Sequence, residues 1–192
     1  VMGSGEAKIE DYILNTDYGV SLLPSNSKMA LLAKKHMQHG DFEYLLAEKL
    51  IEVKAKFDYI IIDTPPSGDF FTLNSLLASD LAIIPTQCEY LSLNGVEHIV
   101  RMISVINDKR GHGLKYQVLV AMYNQEITAA NVILNKLKSK YSDNLLNTTI
   151  NMDGAVQESQ ITQRPLFYYN KDSDASQKYI ALANELLGLR VK

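Results

Sequence analysis

Short, continuous apolar runs rich in β-branched residues alternate along the chain with longer stretches whose apolar positions recur every three or four residues. This alternation predicts an α/β protein with a mainly parallel sheet, its strands buried on both faces by helices. The first run is Val20-Ser21-Leu22-Leu23, closed by Pro24. From Lys28 to Lys56 the apolar spacing is helical, broken once at Gly40-Asp41, which predicts two helices. A strand is expected at Tyr59-Ile60-Ile61-Ile62, a wholly apolar run that suits burial on both faces and stops at Asp63-Thr64-Pro65-Pro66. A helix over 73–78, a buried strand at Leu81-Ala82-Ile83-Ile84-Pro85, a helix over 95–107 and a turn at Gly111-His112-Gly113 follow. Then come a core strand over 116–122, a helix over 131–141, a short strand over 146–150 and a closing helix over 174–187 packed by Tyr179, Leu182, Ala183 and Leu186. No internal repeat, low-complexity tract or linker interrupts this order, so residues 1–192 read as one domain.

Composition narrows the class. The 192 residues are 46% hydrophobic and 21% charged with a formal net charge of -3, which suits one soluble core and supplies no overall basic field for nucleic acid. Any DNA contact must be local. Cys88 is the single cysteine, which excludes an internal disulfide and fits the cytoplasm. No apolar run approaches the roughly 18 residues of a membrane span, and the first ten residues lack signal-peptide character. Val1-Met2-Gly3-Ser4-Gly5 reads equally as an added leader or as the interior of a longer protein.

The segment richest in chemistry is Phe57-Asp58-Tyr59-Ile60-Ile61-Ile62-Asp63-Thr64-Pro65-Pro66-Ser67. Ligands of open parallel sheets bind beyond the carboxyl ends of the strands. An acid placed there by a buried strand can hold magnesium, a hard cation that bridges nucleotide phosphates. Asp63 has that position, and helix capping is its other reading. Among the histidines, His36 and His39 lie on an expected helix while His98 and His112 stand alone, and no further ligand at metal-binding spacing joins them. Cys88, just after a buried strand, reads as a packed thiol.

Asp63-Thr64-Pro65-Pro66-Ser67 resembles the Walker B and switch segment of the ParA-type partition ATPases, the deviant-Walker relatives of MinD. Further resemblances follow in the same order: Leu73-Asn74-Ser75-Leu76-Leu77-Ala78-Ser79-Asp80, then Pro85-Thr86-Gln87-Cys88-Glu89-Tyr90, then Gln163-Arg164-Pro165-Leu166 and the closing helix. The resemblance runs from about Val20 to the end of the chain, and a bare doubly wound fold would not produce these segments together. It implies a P-loop NTPase fold without the N-terminal phosphate-loop strand and helix, and a parent protein that binds ATP and Mg2+. It also implies a homodimer, a ParB-type stimulating partner, non-specific DNA as ligand and a nucleoid-associated place in the cytoplasm. Asp63 would be the magnesium-side acid, and Thr64, Pro65, Pro66 and Ser67 the switch loop. Asn124, Asn151, Met152 and Asp153 would line the adenine pocket, with Glu158 a recurrent acid nearby. A MinD-like membrane role ranks last, because Gly188-Leu189-Arg190-Val191-Lys192 is too short for an amphipathic anchor.

Departures from the family pattern matter as much. No Gly-x-x-x-x-Gly-Lys-[Ser/Thr] occurs in the 192 residues, and Gly3-Ser4-Gly5 has neither a preceding strand nor a following Gly-Lys-Thr. This chain alone is therefore expected neither to bind ATP nor to hydrolyse it. Glu126 and Ala155 stand where the family carries DNA-binding arginines. Lys136, Lys138, Lys140, Arg164, Lys171 and Lys178 read either as a substitute patch or as solvated surface. A non-catalytic, partner-binding relative is the alternative function. Loss of the phosphate-loop strand should also leave a gap beside residues 59–62, with apolar side chains and unpaired backbone exposed, unless residues 1–16 or a second chain cover it.

Overall fold

A computed structural model describes residues 8–26, 29, 33, 43–65, 70–110 and 113–189. The chain divides into two compact units, Val1–Ser79 and Asp80–Lys192.

The second unit carries the parallel sheet. Strands β3 (Leu81–Thr86), β4 (Lys115–Tyr123) and β5 (Leu145–Asn151) lie in that order, all parallel, with Leu81 opposite Lys115 and Tyr123 opposite Asn151. Val118, Leu119 and Val120 are consecutive and all buried, which only a strand covered on both faces allows. Leu119 packs with Leu146, Ile150 and Leu182, the last on helix α7 (Asp174–Gly188). Helices α3 (Ser92–Arg110) and α4 (Thr128–Lys140) bury Val96, Ile103, Ile106, Ile133 and Leu137, and are joined by an ion pair between Lys140 and Glu97. The predicted strands and helices of this unit all form, several of them a few residues longer than expected. Helices α5 (Gly154–Ile161) and α6 (Leu166–Tyr169) are additions that the apolar spacing does not announce.

Side chains close the connections. The Asn107 carboxamide accepts from the Leu114 N–H at 2.6 Å and donates to the Leu114 carbonyl at 3.1 Å, standing in for a strand partner where α3 turns into β4. Helix α5 ends in a left-handed residue, Gln163 at φ 53, with Arg164 N–H bonded to the Ser159 carbonyl and Gln163 N–H to the Gln160 carbonyl, a Schellman arrangement. Glu185 of α7 takes the backbone N–H of Asn147 at 2.7 Å and of Thr148 at 2.9 Å, blunting the exposed edge of β5.

The first unit is less regular. Strands β1 (Leu14–Asn15) and β2 (Ser21–Leu22) form a small antiparallel hairpin turned by Gly19 at φ 73, so the run at 20–23 yields only two strand residues. Ile9, almost fully buried, sits in a 3-10 turn held by its N–H to Glu52 and by Lys56 to Glu10. Helix α1 (Leu45–Ile51) ends earlier than the expected limit near 56, giving way to a turn and the 3-10 segment Lys54–Lys56. Of the preceding expected helix, Met29 and Ala33 are helical and the rest lies outside the described residues. Asn74 of α2 (Phe70–Ala78) accepts from the Leu46 N–H, tying α1 to α2.

The expected buried strand at 59–62 does not form. Tyr59 is 69% and Ile61 93% exposed, and neither residue is part of a strand. A strand buried on both faces needs neighbours for its N–H and C=O groups. The only described sheet of this unit is the β1–β2 hairpin, so the apolar run faces water. Ile9 and Glu10 bond to Glu52 and Lys56, and Leu14 and Asn15 pair with β2, so neither pairs with that run.

Candidate functional site

The carboxyl ends of β4 and β5, beside that of β3, carry the four residues expected to line the adenine side of a ligand site, Asn124, Asn151, Met152 and Asp153. β4 bulges there: its register against β5 shifts between Val120 and Tyr123, and Met122 takes φ 52, a conformation costly for a side chain with a Cβ. The bulge sets the Met122 sulfur 3.2 Å from Gln87 Nε2, beyond the end of β3. Met152 N–H donates to the Tyr123 carbonyl at 2.9 Å, holding the loop after β5 against β4. Helices α3, α4 and α5 all start from this edge, so their partly positive N-termini converge on it.

Each expected base-side residue has a defined local task. Asn124 Oδ1 accepts from the Glu126 N–H at 2.9 Å, an Asx turn that leaves the side-chain amide as a donor. Asn151 Nδ2 donates to Asp174 Oδ2 at 2.9 Å. Asp153 caps two helices at once, Oδ1 accepting from Ala155 N–H of α5 and Oδ2 from Ala175 N–H of α7, both at 2.9 Å. The side chain of Met152 is exposed. Glu158 accepts from the Tyr169 hydroxyl at 2.9 Å and thereby raises the Tyr169 pKa. Asn124, Met152 and Asp153 are thus brought to one sheet edge, while Asn151 and Asp153 are tied to the start of α7. Sequence reasoning places Gln87 within a family segment but assigns no task to Met122 or Asp174, since no residue type announces a bulge or a cross-helix acid.

Asp63 belongs to the first unit. It is exposed and has no hydrogen bond or ion pair among the described residues. Thr64 is exposed, the Pro65 carbonyl accepts weakly from the Thr72 hydroxyl at 3.5 Å, and Pro66 and Ser67 lie outside the described residues. Among the described residues, no group of three or more His, Cys, Asp or Glu could hold a metal. His98 is exposed, and His36, His39 and His112 lie outside the described residues. Burial raises the Cys88 pKa, which keeps the thiol protonated and inert. No described helix is long and apolar enough to cross a membrane.

A family model described as an AAA domain, AAA_31, matches residues 1–118. The chain is a ParA-type member of that family. An uncharacterized protein of Pseudomonas putida is 34% identical over 170 residues, covering 88% of this chain and 65% of that protein. The chromosome partitioning protein ParA of Caulobacter vibrioides is 25% identical over 187 residues, covering 95% of this chain and 70% of that protein. Among solved structures, a cobyrinic acid a,c-diamide synthase from Mycobacterium smegmatis with bound ATP analog and magnesium superposes with a TM-score of 0.81 at 28% identity, over 95% of this chain and 68% of that one. The ParA-type chain therefore has a P-loop NTPase fold and spans about two thirds of the length of these proteins.

Proposed function

We propose that this chain is the part of an ATP-dependent partition ATPase that follows the phosphate loop, in a cytoplasmic, nucleoid-associated protein that dimerises on ATP. Its partners in that reading are a ParB-type protein and non-specific DNA. The observation that carries the reading is the ordered pair of segments Asp63-Thr64-Pro65-Pro66-Ser67 and Pro85-Thr86-Gln87-Cys88-Glu89-Tyr90 in a chain of this family. Asp63 fits magnesium, being an exposed carboxylate with no bond to another described residue, and the cation would supply charge neutralisation between phosphates. Asn124 fits an acceptor on the base edge, because its Oδ1 is already spent and its amide is not. No Gly-x-x-x-x-Gly-Lys-[Ser/Thr] loop, with its phosphate-contacting lysine, occurs in the 192 residues, so in this reading the chain by itself does not hydrolyse ATP.

A partner-binding protein without catalysis is the second reading. It is favoured by the internal commitments of Asn151 and Asp153 and by Glu126 and Ala155 at expected arginine positions. Sequencing the DNA upstream of the Val1 codon separates the two. The first predicts an in-frame apolar strand followed by Lys-Gly-Gly-x-Gly-Lys-Thr. A start codon at Val1 or Met2 with no such segment refutes it.

A further inference from the structure

A glycine that follows asparagine or aspartate leaves its backbone nitrogen unshielded, so that nitrogen can reach the side-chain carbonyl carbon before it. The sequence holds two such pairs, Asn94-Gly95 and Asp153-Gly154, each at the start of a helix. Their side chains are placed oppositely. Both Asp153 oxygens are held, one by Ala155 N–H and one by Ala175 N–H, each at 2.9 Å. Asn94 is exposed, and its carboxamide bonds to none of the described residues. The backbone is open there as well. In α4 and α7 the carbonyl before the helix accepts from the helix's fourth N–H, Ile127 from Asn131 at 3.2 Å and Ser173 from Gln177 at 3.1 Å. In α3 the Leu91 carbonyl accepts instead from the third, that of Asn94, at 3.2 Å, which leaves the Gly95 N–H without this anchor. Space around Gly95 is free, since a Cβ built on it would meet nothing within 4 Å.

We propose that Asn94 is a site of spontaneous deamidation, an irreversible covalent change that adds a carboxylate to the first turn of α3. The Gly95 nitrogen gives its proton to water and attacks Asn94 Cγ. The Cγ–Nδ2 bond breaks, and Nδ2 takes up a proton and leaves as ammonia. Water then opens the succinimide at either carbonyl, giving aspartate or isoaspartate. In sum an amide and a water become a carboxylic acid and an ammonia, with nothing oxidised or reduced. Attack requires Asn94 to leave its helical backbone angle, and the first turn of a helix opens before the rest because its N–H groups lack intrahelical partners. Aspartate there suits the helix dipole, whereas isoaspartate lengthens the backbone by a methylene and breaks the turn between Leu91 and Asn94. Either product takes the formal net charge one unit below -3 and sets a new acid one helical turn before Glu97, the partner of Lys140. Asp153 precedes a glycine too, but its oxygens would first have to release two helix N–H groups, so the fold protects it. No nucleotide or partner enters the reaction.

The whole chain, incubated for days at neutral pH and physiological temperature, tests this by peptide mapping with mass spectrometry and by enzymatic methylation of isoaspartate. The expected result is first-order conversion of Asn94 to a mixture of aspartate and isoaspartate, while Asp153 gains no isoaspartate. Gly95→Ala should slow the conversion by at least about fivefold, the factor by which alanine favours the closed helical turn over glycine. The free space at Gly95 accepts the added methyl, and circular dichroism confirms that the variant is folded. In urea both pairs are released from the fold, and Asp153 should then form isoaspartate as well. Retention of the Asn94 amide in the folded chain after the unfolded chain has lost it overturns the proposal. So does isoaspartate at Asp153 of the folded chain as early as at Asn94, or a wild-type rate in Gly95→Ala.

Discussion

Replacing Asp153 by alanine removes one carboxylate and uncaps two helices. Its oxygens accept from Ala155 N–H and Ala175 N–H, each at 2.9 Å, and both alanines are buried, Ala175 completely. Water therefore cannot readily satisfy the amides left behind. A lost N-cap costs about 1 kcal/mol, and a hydrogen bond to a charged acceptor contributes about 1.5–3 kcal/mol, less where the group is partly solvated. Two such bonds on a half-buried side chain give an expected loss of about 2–3 kcal/mol for Asp153→Ala. Asp153→Asn keeps one acceptor and turns an NH2 group toward the other amide, so it should lose about 1–2 kcal/mol. Urea unfolding followed by circular dichroism measures both losses. Ser173 supplies the second cap of α7 by accepting from Ser176 N–H at 3.1 Å, so Ser173→Ala combined with Asp153→Ala should be non-additive. A change below about 0.5 kcal/mol for Asp153→Ala, with unchanged slope, would show that the double cap does not hold the loop and α7 together.

Glu185→Ala should lose about 2 kcal/mol in the same assay, because three N–H groups of Asn147 and Thr148 lose a charged acceptor. Burial raises the Glu185 pKa, but these bonds outweigh it and leave the folded value below 4.5. Its contribution is therefore full above that unfolded value and is lost as pH falls through the folded one. Wild-type and Glu185→Gln stabilities should converge on acidification, and a constant difference would contradict the assignment. Gln163→Gly should stabilise by about 0.5–1 kcal/mol by relieving a left-handed residue at a helix C-terminus, and destabilisation would show that the glutamine side chain matters there. Ile61→Thr should change stability by less than about 0.5 kcal/mol while reducing light scattering on concentration, whereas a loss above about 2 kcal/mol would place Ile61 in a core.

The sheet of the second unit was legible because its strands are long apolar runs and its helices have clear spacing. Leu81-Ala82-Ile83-Ile84-Pro85 and residues 116–122 form the paired centre of the sheet. Residues 59–62 have the same local signal and a different outcome. Strand formation is a property of the neighbours as well as of the run, and none of the described residues pairs with it. Helix α5 was missed because Gly154, Gln157, Glu158 and Gln160 dilute its apolar spacing, and it is defined by caps at both ends. Asn124, Met152 and Asp153 were legible as loop residues after strands. That both Asp153 oxygens are occupied depends on α7, which begins more than twenty residues later.

Isothermal titration of Mg-ATP into the 192-residue chain bears most directly on its reading as a ParA-type chain without a phosphate loop. Asp63 and the loops after β4 and β5 are proposed to meet the cation and the base, but the sequence has no Gly-x-x-x-x-Gly-Lys-[Ser/Thr] loop to cradle the phosphates. The predicted result is no saturable heat at millimolar nucleotide, with or without magnesium. Saturable binding at micromolar concentration, abolished by Asp63→Asn, would contradict it and show that phosphate binding in this chain does not need the glycine-rich loop.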